Sequence, residues 1–362
     1  MQKYAFVTIA VLCLTCLCGC ESTELEQRSF PLAMGIDLQT DKSGEQLVVS
    51  FDFPDLKQIS EKSKTSDTPV EFSLEGEDLY HVEKSYENNT NRILDYNHLK
   101  TVILSEENFQ NMNMLRKVLE NWEGRQNAVR NTSLFFTEGK AAQMLSLTEE
   151  TEGSVGKYLE EMLESQKDFK ADKIAMIGDL MNQWHNQDEL LLVPVLAEQG
   201  ERPVITKYGM VSNFQYVGDI TVEEAMQVFL SRNMLKRFQY EIGDGTVIEI
   251  TDIRAEKQIE EAEGIPVVTV SIQGKARILQ PQGTDIRQQY KIEQQIEQQL
   301  EFELAKTAGK LQKEMGVDMT NSYIALGGYD RKLYEEYKDR PQTYGKEVQQ
   351  VFDTEIKIWN VE

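Results

Sequence analysis

Past residue 20 the chain contains no cysteine, and histidine occurs only as His81, His98 and His185. That stretch therefore has no disulfide framework, no thiolate zinc site and no thiol nucleophile. Long apolar runs are missing as well. Only Tyr4 to Leu17 (YAFVTIAVLCLTCL) is almost wholly apolar, and the mean hydropathy is −0.48, which excludes a polytopic membrane protein. Positive charge is short: 38 Lys and Arg stand against 61 Asp and Glu, a net charge of −23. Such a surface repels phosphate backbones and anionic headgroups, so it argues against a nucleic-acid partner and against adsorption to lipid by bulk charge. The catalytic signatures G-x-S-x-G, H-E-x-x-H, G-x-x-x-x-G-K-[ST] and G-x-G-x-x-G are absent too.

The cysteines that are present cluster at Cys13, Cys16, Cys18 and Cys20. Lys3 and the apolar stretch that follows have the form of a signal peptide, with an apolar segment short for a bilayer span. Leu17-Cys18-Gly19-Cys20 then resembles a bacterial lipobox, in which Leu17 and Gly19 direct processing and Cys20 becomes the lipidated N-terminus carrying thioether-linked diacylglycerol. Two other readings stand beside it. C-x-x-C-x-C-x-C could ligate a metal, although its neighbours are Leu, Val, Ile and Thr with no supporting acids. The segment could also be an uncleaved anchor, with the same topology. Cleavage before Cys20 removes one basic residue, Lys3, and no acid, so the mature chain carries −24. A covalent lipid is then what holds it to a membrane.

With 362 residues, two or three compact units are expected. The hydrophobic pattern predicts an α+β fold of mixed sheets with packed helices. The units are a signal peptide 1–19, an N-terminal α+β part 20–198 and a C-terminal α+β part 199–362. Paired strands are expected at Ser29–Leu38 and Leu47–Phe53, and a buried strand at His98–Leu104. A helix runs from a Ser105 cap through Phe109, Leu115, Val118 and Trp122, and another spans Val155 to Asn182. Thr221-Val222-Glu223-Glu224 opens a further helix with a hydroxyl cap and acids in its first turn. Val247–Ala255 and Val267–Ile278 alternate as strands. The longest helical signal is 285–315, with Ile292, Ile296, Leu300, Leu304, Leu311 and Met315 on one stripe and Gln and Glu over the rest. A helix near Tyr329–Lys338 and a strand over Val348–Val361 close the chain.

Several short stretches occur in an order that resembles the Ger(x)C family, the C-subunit lipoproteins of spore germinant receptors. They are Gly19-Cys20, Glu24-Leu25 with Arg28, and Gly35-Ile36-Asp37. Next come Asp95 to Lys100 with the strand Val102-Ile103-Leu104, and Glu138-Gly139-Lys140-Ala141. Tyr208-Gly209, Gly218-Asp219 and Glu224-Ala225 follow, then Glu293 to Lys313, Asp318 and Gly327-Gly328. The family's usual Trp-Asp after the lipidated cysteine is Glu21-Ser22 here. The resemblance implies an α+β protein of about three small domains, anchored on the outer face of the spore inner membrane. It implies two integral membrane subunits as partners, one of them transporter-like, in a receptor for amino acids, sugars or nucleosides. It implies no enzyme activity and no cofactor beyond the lipid on Cys20, and it assigns no ligand-binding residue.

Other candidate chemistry has blander readings. His98 beside Asp95 could be a general base and reads more simply as a hydrogen-bonded structural histidine. His185 near Trp184 and Asp188 reads as surface. The acid pairs Glu106-Glu107, Glu149-Glu150 and Glu223-Glu224 could be glycosidase carboxylates, but two of them sit where helix N-termini attract negative charge. Gly327-Gly328 reads as a turn. Tyr208, Phe214 and Tyr216 read as core at strand spacing, and the long helix as packed on its own sheet. A substrate-binding lipoprotein of a transporter is the alternative function, and the irregular order of strands and helices speaks against its repeated βα units. An extracytoplasmic hydrolase would lack both nucleophile and metal set.

Overall fold

The computed structural model describes residues 25–41, 44–54, 72–123, 130–147, 154–165, 169–171, 174–184, 190–243, 245–279 and 286–359. It is a mixed α+β fold. Along the chain come β1 (Arg28–Ser29), β2 (Ala33–Asp41), β3 (Gly44–Asp52), β4 (Phe72–Gly76), α1 (Leu79–Thr90), β5 (Ile93–Leu94) and β6 (Thr101–Ser105). These are followed by α2 (Glu106–Gln110), α3 (Met112–Glu123), β7 (Ser133–Thr137), α4 (Ala141–Leu145), α5 (Val155–Ser165), β8 (Phe169–Ala171) and α6 (Ile177–Asn182). Then β9 (Leu191–Gln199), β10 (Arg202–Ser212), β11 (Gln215–Thr221), α7 (Val222–Ser231), β12 (Leu235–Glu241), β13 (Val247–Ala262) and β14 (Ile265–Ile278) lead to α8 (Ile286–Met315). Three short helices, α9 (Ser322–Tyr329), α10 (Arg331–Tyr337) and α11 (Pro341–Glu347), precede β15 (Gln349–Ile358).

The first sheet has the order β11-β10-β9-β7-β6-β2-β3-β4. Its centre, β9, β7, β6 and β2, is parallel, and an antiparallel pair closes each side. Parallel strands are covered on both faces, so they read as continuous apolar runs. Every residue of β6 is buried. Val102 and Leu104 point into one core with Leu115, Val118 and Leu119 of α3, whereas Ile103 points into the other with α4 and α5.

The second sheet has the order β15-β14-β13-β12-β8. It is covered on one face only, so its strands alternate. β14 and β15 bury every second residue and expose Lys275, Arg277, Glu355 and Lys357 on the other side. The covering element is α8, whose Ile292, Ile296, Leu300, Leu304 and Leu311 are buried, each side chain stabilising by about 1.5–3 kcal/mol. Met315 is only partly buried.

The helix expected over Val155–Asn182 is instead α5, β8 and α6. The reason is tertiary: β8 leaves the first half and pairs with β12 as the edge of the second sheet. In return β10 and β11 extend the first sheet. The division drawn at 198/199 falls within the last two residues of β9, and each half lends strands to the other's sheet. The helix expected from Ser105 is broken at Asn111 into α2 and α3, while the helix expected near Tyr329–Lys338 is α10, flanked by α9 and α11. Gly327-Gly328 lies within α9 rather than in a turn.

An edge strand leaves a row of amides unpaired. On β15 the amides of Thr354, Ile356 and Ile358 donate to Glu301 (2.9 Å), Glu297 (3.0 Å) and Glu293 (2.8 Å) of α8. Helix spacing of four residues thus matches strand spacing of two, and a carboxylate ladder takes the place of a sixth strand.

Candidate functional site

The residues nominated for lipidation and processing, Leu17, Gly19 and Cys20, lie outside the described residues, as do His185, Asp188 and the pair Glu149-Glu150. The described residues begin at an exposed Leu25, five positions after Cys20.

The motif residues that are described come together as bonds of the fold. Gly35-Ile36-Asp37 on β2 meets the start of α4. A Cβ on Gly35 would sit 3.1 Å from both the backbone and the side chain of Ala141, so its absence lets the helix approach. Asp37 then accepts the amides of Ala141 (2.7 Å) and Ala142 (3.0 Å), capping a helix about a hundred residues away in sequence. Asp52 on β3 does the same for α5, accepting from Ser154 Oγ (3.0 Å) and the Gly156 amide (3.3 Å). Burial pushes both carboxyls above the usual range, and the amides they accept pull the other way. Thr221 and Glu224 form a reciprocal capping box on α7, and Glu224 also holds Lys310 of α8 at 2.7 Å.

Asp318 lies in the buried turn between α8 and α9. It accepts from the Thr320 amide (2.8 Å) and hydroxyl (2.7 Å) and from the Ser322 amide and hydroxyl (both 2.6 Å). Two cations hold the same turn. Arg232 donates to the carbonyls of Met319 (2.9 Å) and Leu190 (2.6 Å), and Lys257 donates to that of Thr320. Burial, followed by the charge of Arg232, lowers Lys257 to about 8. Asn321 Oδ1 takes the Leu190 amide at 3.1 Å, which ties the turn to the start of β9.

His98 is not hydrogen-bonded to Asp95. Asp95 pairs with Arg28 at 2.7 Å and takes the Asn97 amide, whereas the exposed His98 ring meets Phe30 edge-on at 5.2 Å. Ser105 makes no cap hydrogen bond to α2; its hydroxyl accepts from Asn108 instead. Glu106 and Glu107 do occupy the first turn of α2, and Glu107 is paired with Lys140 at 2.6 Å.

A cleft of about 1150 Å³ opens where the C-terminal ends of the central strands meet the β10–β11 turn. Sequence reasoning did not find it. Its wall is a three-layer stack. Trp184, after α6, lies between the Arg116 guanidinium (5.1 Å to the ring centre) and the Phe214 ring (5.3 Å, 18° between planes). Asn213 and Phe214 form the turn with φ of 52° and 54°, unusual for side chains of this size, and the Phe214 amide donates to the buried Gln183 at 3.3 Å. Of the aromatic run, only Tyr208 is core; Phe214 and Tyr216 are half-buried at the cleft. At the rim Glu107 pairs with Lys140 and Arg116 with Glu120, whereas Glu45 accepts from the neutral Asn111 amide and keeps its charge. What the cleft offers a visitor is amides, ring edges and the Glu45 carboxylate, without a paired nucleophile and base. Among the described residues no group of three His, Cys, Asp or Glu converges to hold a metal, and no helix is long and apolar enough to cross a membrane.

Comparisons with known proteins match this chain along most of its length. Residues 21–198 match the family model described as the spore germination protein N-terminal domain. Residues 206–361 match the one described as spore germination B3/GerAC like, C-terminal. The fold is similar to a solved structure titled as the crystal structure of the GerBC protein. The TM-score is 0.60 at 16% identity, over 91% of this chain and 98% of that one. No curated protein matches the chain.

Proposed function

We propose a function from one premise: the chain belongs to the GerAC-like family of spore germination proteins. It acts as the lipid-anchored subunit of a nutrient germinant receptor in the spore inner membrane, and it works by binding its partner subunits rather than by catalysis. The observation that carries this reading is the pair of family matches in chain order, the first beginning at residue 21, immediately after the lipobox cysteine. The similar fold titled GerBC supports the same assignment. The partners are two integral membrane subunits, one of them transporter-like. The geometry supports a scaffold. The motif residues are engaged in caps, ion pairs and a buried turn, so they hold surfaces in place rather than facing a ligand.

Attachment is through diacylglycerol on Cys20, because a chain of −24 net charge is repelled by anionic headgroups and needs a hydrophobic anchor. Cys20→Ala should therefore move the chain from the membrane pellet to the supernatant after salt and carbonate washes. A variant that still sediments fully with membrane would replace the lipid with an uncleaved apolar segment as the anchor.

A further inference from the structure

The tether between Cys20 and the fold is short, and it emerges at a definite place. Cys20 and Leu25 are five residues apart, which extended backbone spans in at most about 17 Å. Leu25 leads into β1, and β1 pairs with β5, Arg28 opposite Ile93. The parallel strands β2, β6 and β7 begin in register at Ala33, Thr101 and Ser133. Their N-terminal ends therefore lie at the end of the sheet from which the tether leaves. The cleft, lined by Gln39, Thr40 and Glu107, lies at the opposite end of β2 and β6.

The surface at the tethered end combines exposed apolar side chains with closely matched charges. Leu25 is 70% exposed and Ile93 47%, two large apolar side chains at paired elements. The cations there are balanced: Arg28 by the buried Asp95, and Lys100 by Glu160 at 3.2 Å. Arg92 is exposed and forms no ion pair among the described residues. Glu21 and Glu24 belong to the tether itself, and the exposed Glu26 beside Leu25 offsets the Arg92 charge, so the folded face is close to neutral.

We propose that this end of the sheet lies against the headgroup layer of an anionic bilayer. Ile93 and Leu25 enter the interface, and the Arg92 guanidinium pairs with lipid phosphates. The proposal rests on the reading that Cys20 is lipidated. The occupant follows from the tether: within about 17 Å of the acyl chains, the bilayer is the one surface always in reach. A charge-balanced, partly apolar face is also the one a chain of −24 can bring to anionic lipid at least cost. The cleft then opens away from the membrane.

The mature chain has no thiol other than the lipidated Cys20, so Ile93→Cys provides a single labelling position, and Gln39→Cys provides one at the far end of β2. Each full-length lipidated chain, carrying an environment-sensitive fluorophore, is reconstituted into phosphatidylglycerol vesicles containing a headgroup nitroxide quencher. The label at position 93 is expected to lose most of its fluorescence, and the label at position 39 to keep it. Adding Arg92→Glu should restore much of the lost signal at position 93, and so should vesicles of phosphatidylcholine alone. Equal quenching at both positions would overturn the proposal. So would position 93 being shielded from labelling in native membranes but not quenched by lipid, which would place a protein there. A chain that does not float with vesicles at all would instead refute the lipid anchor.

Discussion

Asp318→Ala is expected to lower the unfolding free energy by about 3–5 kcal/mol, the range for removing one partner from a buried charged network. The side chain is 9% exposed and accepts four hydrogen bonds. Without it the amides of Thr320 and Ser322 are stranded, and Lys257 loses the carboxylate near it. Asp318→Asn keeps the shape, but it turns an amide group toward donors on Ser322 and should fall between alanine and the parent. Urea midpoints compare the three, and an unchanged midpoint for alanine would show that the turn is held by other contacts. Lys257 gives the same network a pH signature. Its folded value of about 8 lies below the usual lysine value of 10.5, so between those values the unfolded chain binds more protons and stability rises with pH. Above about pH 10 three tyrosines, two of them buried and one half-buried, reverse the trend. Burial first, then nearby acids, raises Tyr216, Tyr240 and Tyr337, so folding opposes their ionisation.

The second large effect concerns the edge of β15. Replacing Glu293, Glu297 and Glu301 together by alanine should cost about 2–4 kcal/mol. Each lost bond to a carboxylate is worth about 1–2 kcal/mol net, and part is returned because alanine favours helix slightly over glutamate. The exposed edge should also recruit other chains, so the variant should elute as dimers or larger species. The triple glutamine variant keeps a carbonyl acceptor at each position and should stay monodisperse with a smaller loss. Denaturation and light scattering read both properties. A triple alanine variant that is monodisperse with an unshifted midpoint would mean that water serves those amides equally well.

How much of this was legible follows the range of each interaction. The run Thr101–Ser105 announced a strand buried on both faces, and the stripe Ile292 to Leu311 announced α8, because both signals depend only on local period. The capping box at Thr221 was readable for the same reason. The exchange of β8 for β10 and β11 was not, since Phe169–Ala171 is too short a strand to show a period and gains its identity from β12. Glu293, Glu297 and Glu301 look like a solvated face in sequence; only the antiparallel placement of β15 beside α8 turns them into acceptors. Asp37 and Asp52 carry no local capping signal, because the helices they cap lie about a hundred residues on. The family resemblance, drawn from scattered short stretches, was sound because those stretches mark such bonds. His98 misled because its neighbour in sequence, Asp95, is held by Arg28. The Arg116, Trp184 and Phe214 stack joins three separate segments, and only the adjacent Asn213-Phe214 between two strands hinted at a strained turn there.

The most direct test of the receptor assignment is germination of spores lacking this chain, measured on a panel of amino acids, sugars and nucleosides and on non-nutrient triggers. The account predicts a defect confined to one nutrient class, restored by the parent chain and not by Cys20→Ala, with non-nutrient germination intact. Undiminished germination on every nutrient, or an equal loss on nutrient and non-nutrient triggers, would contradict it.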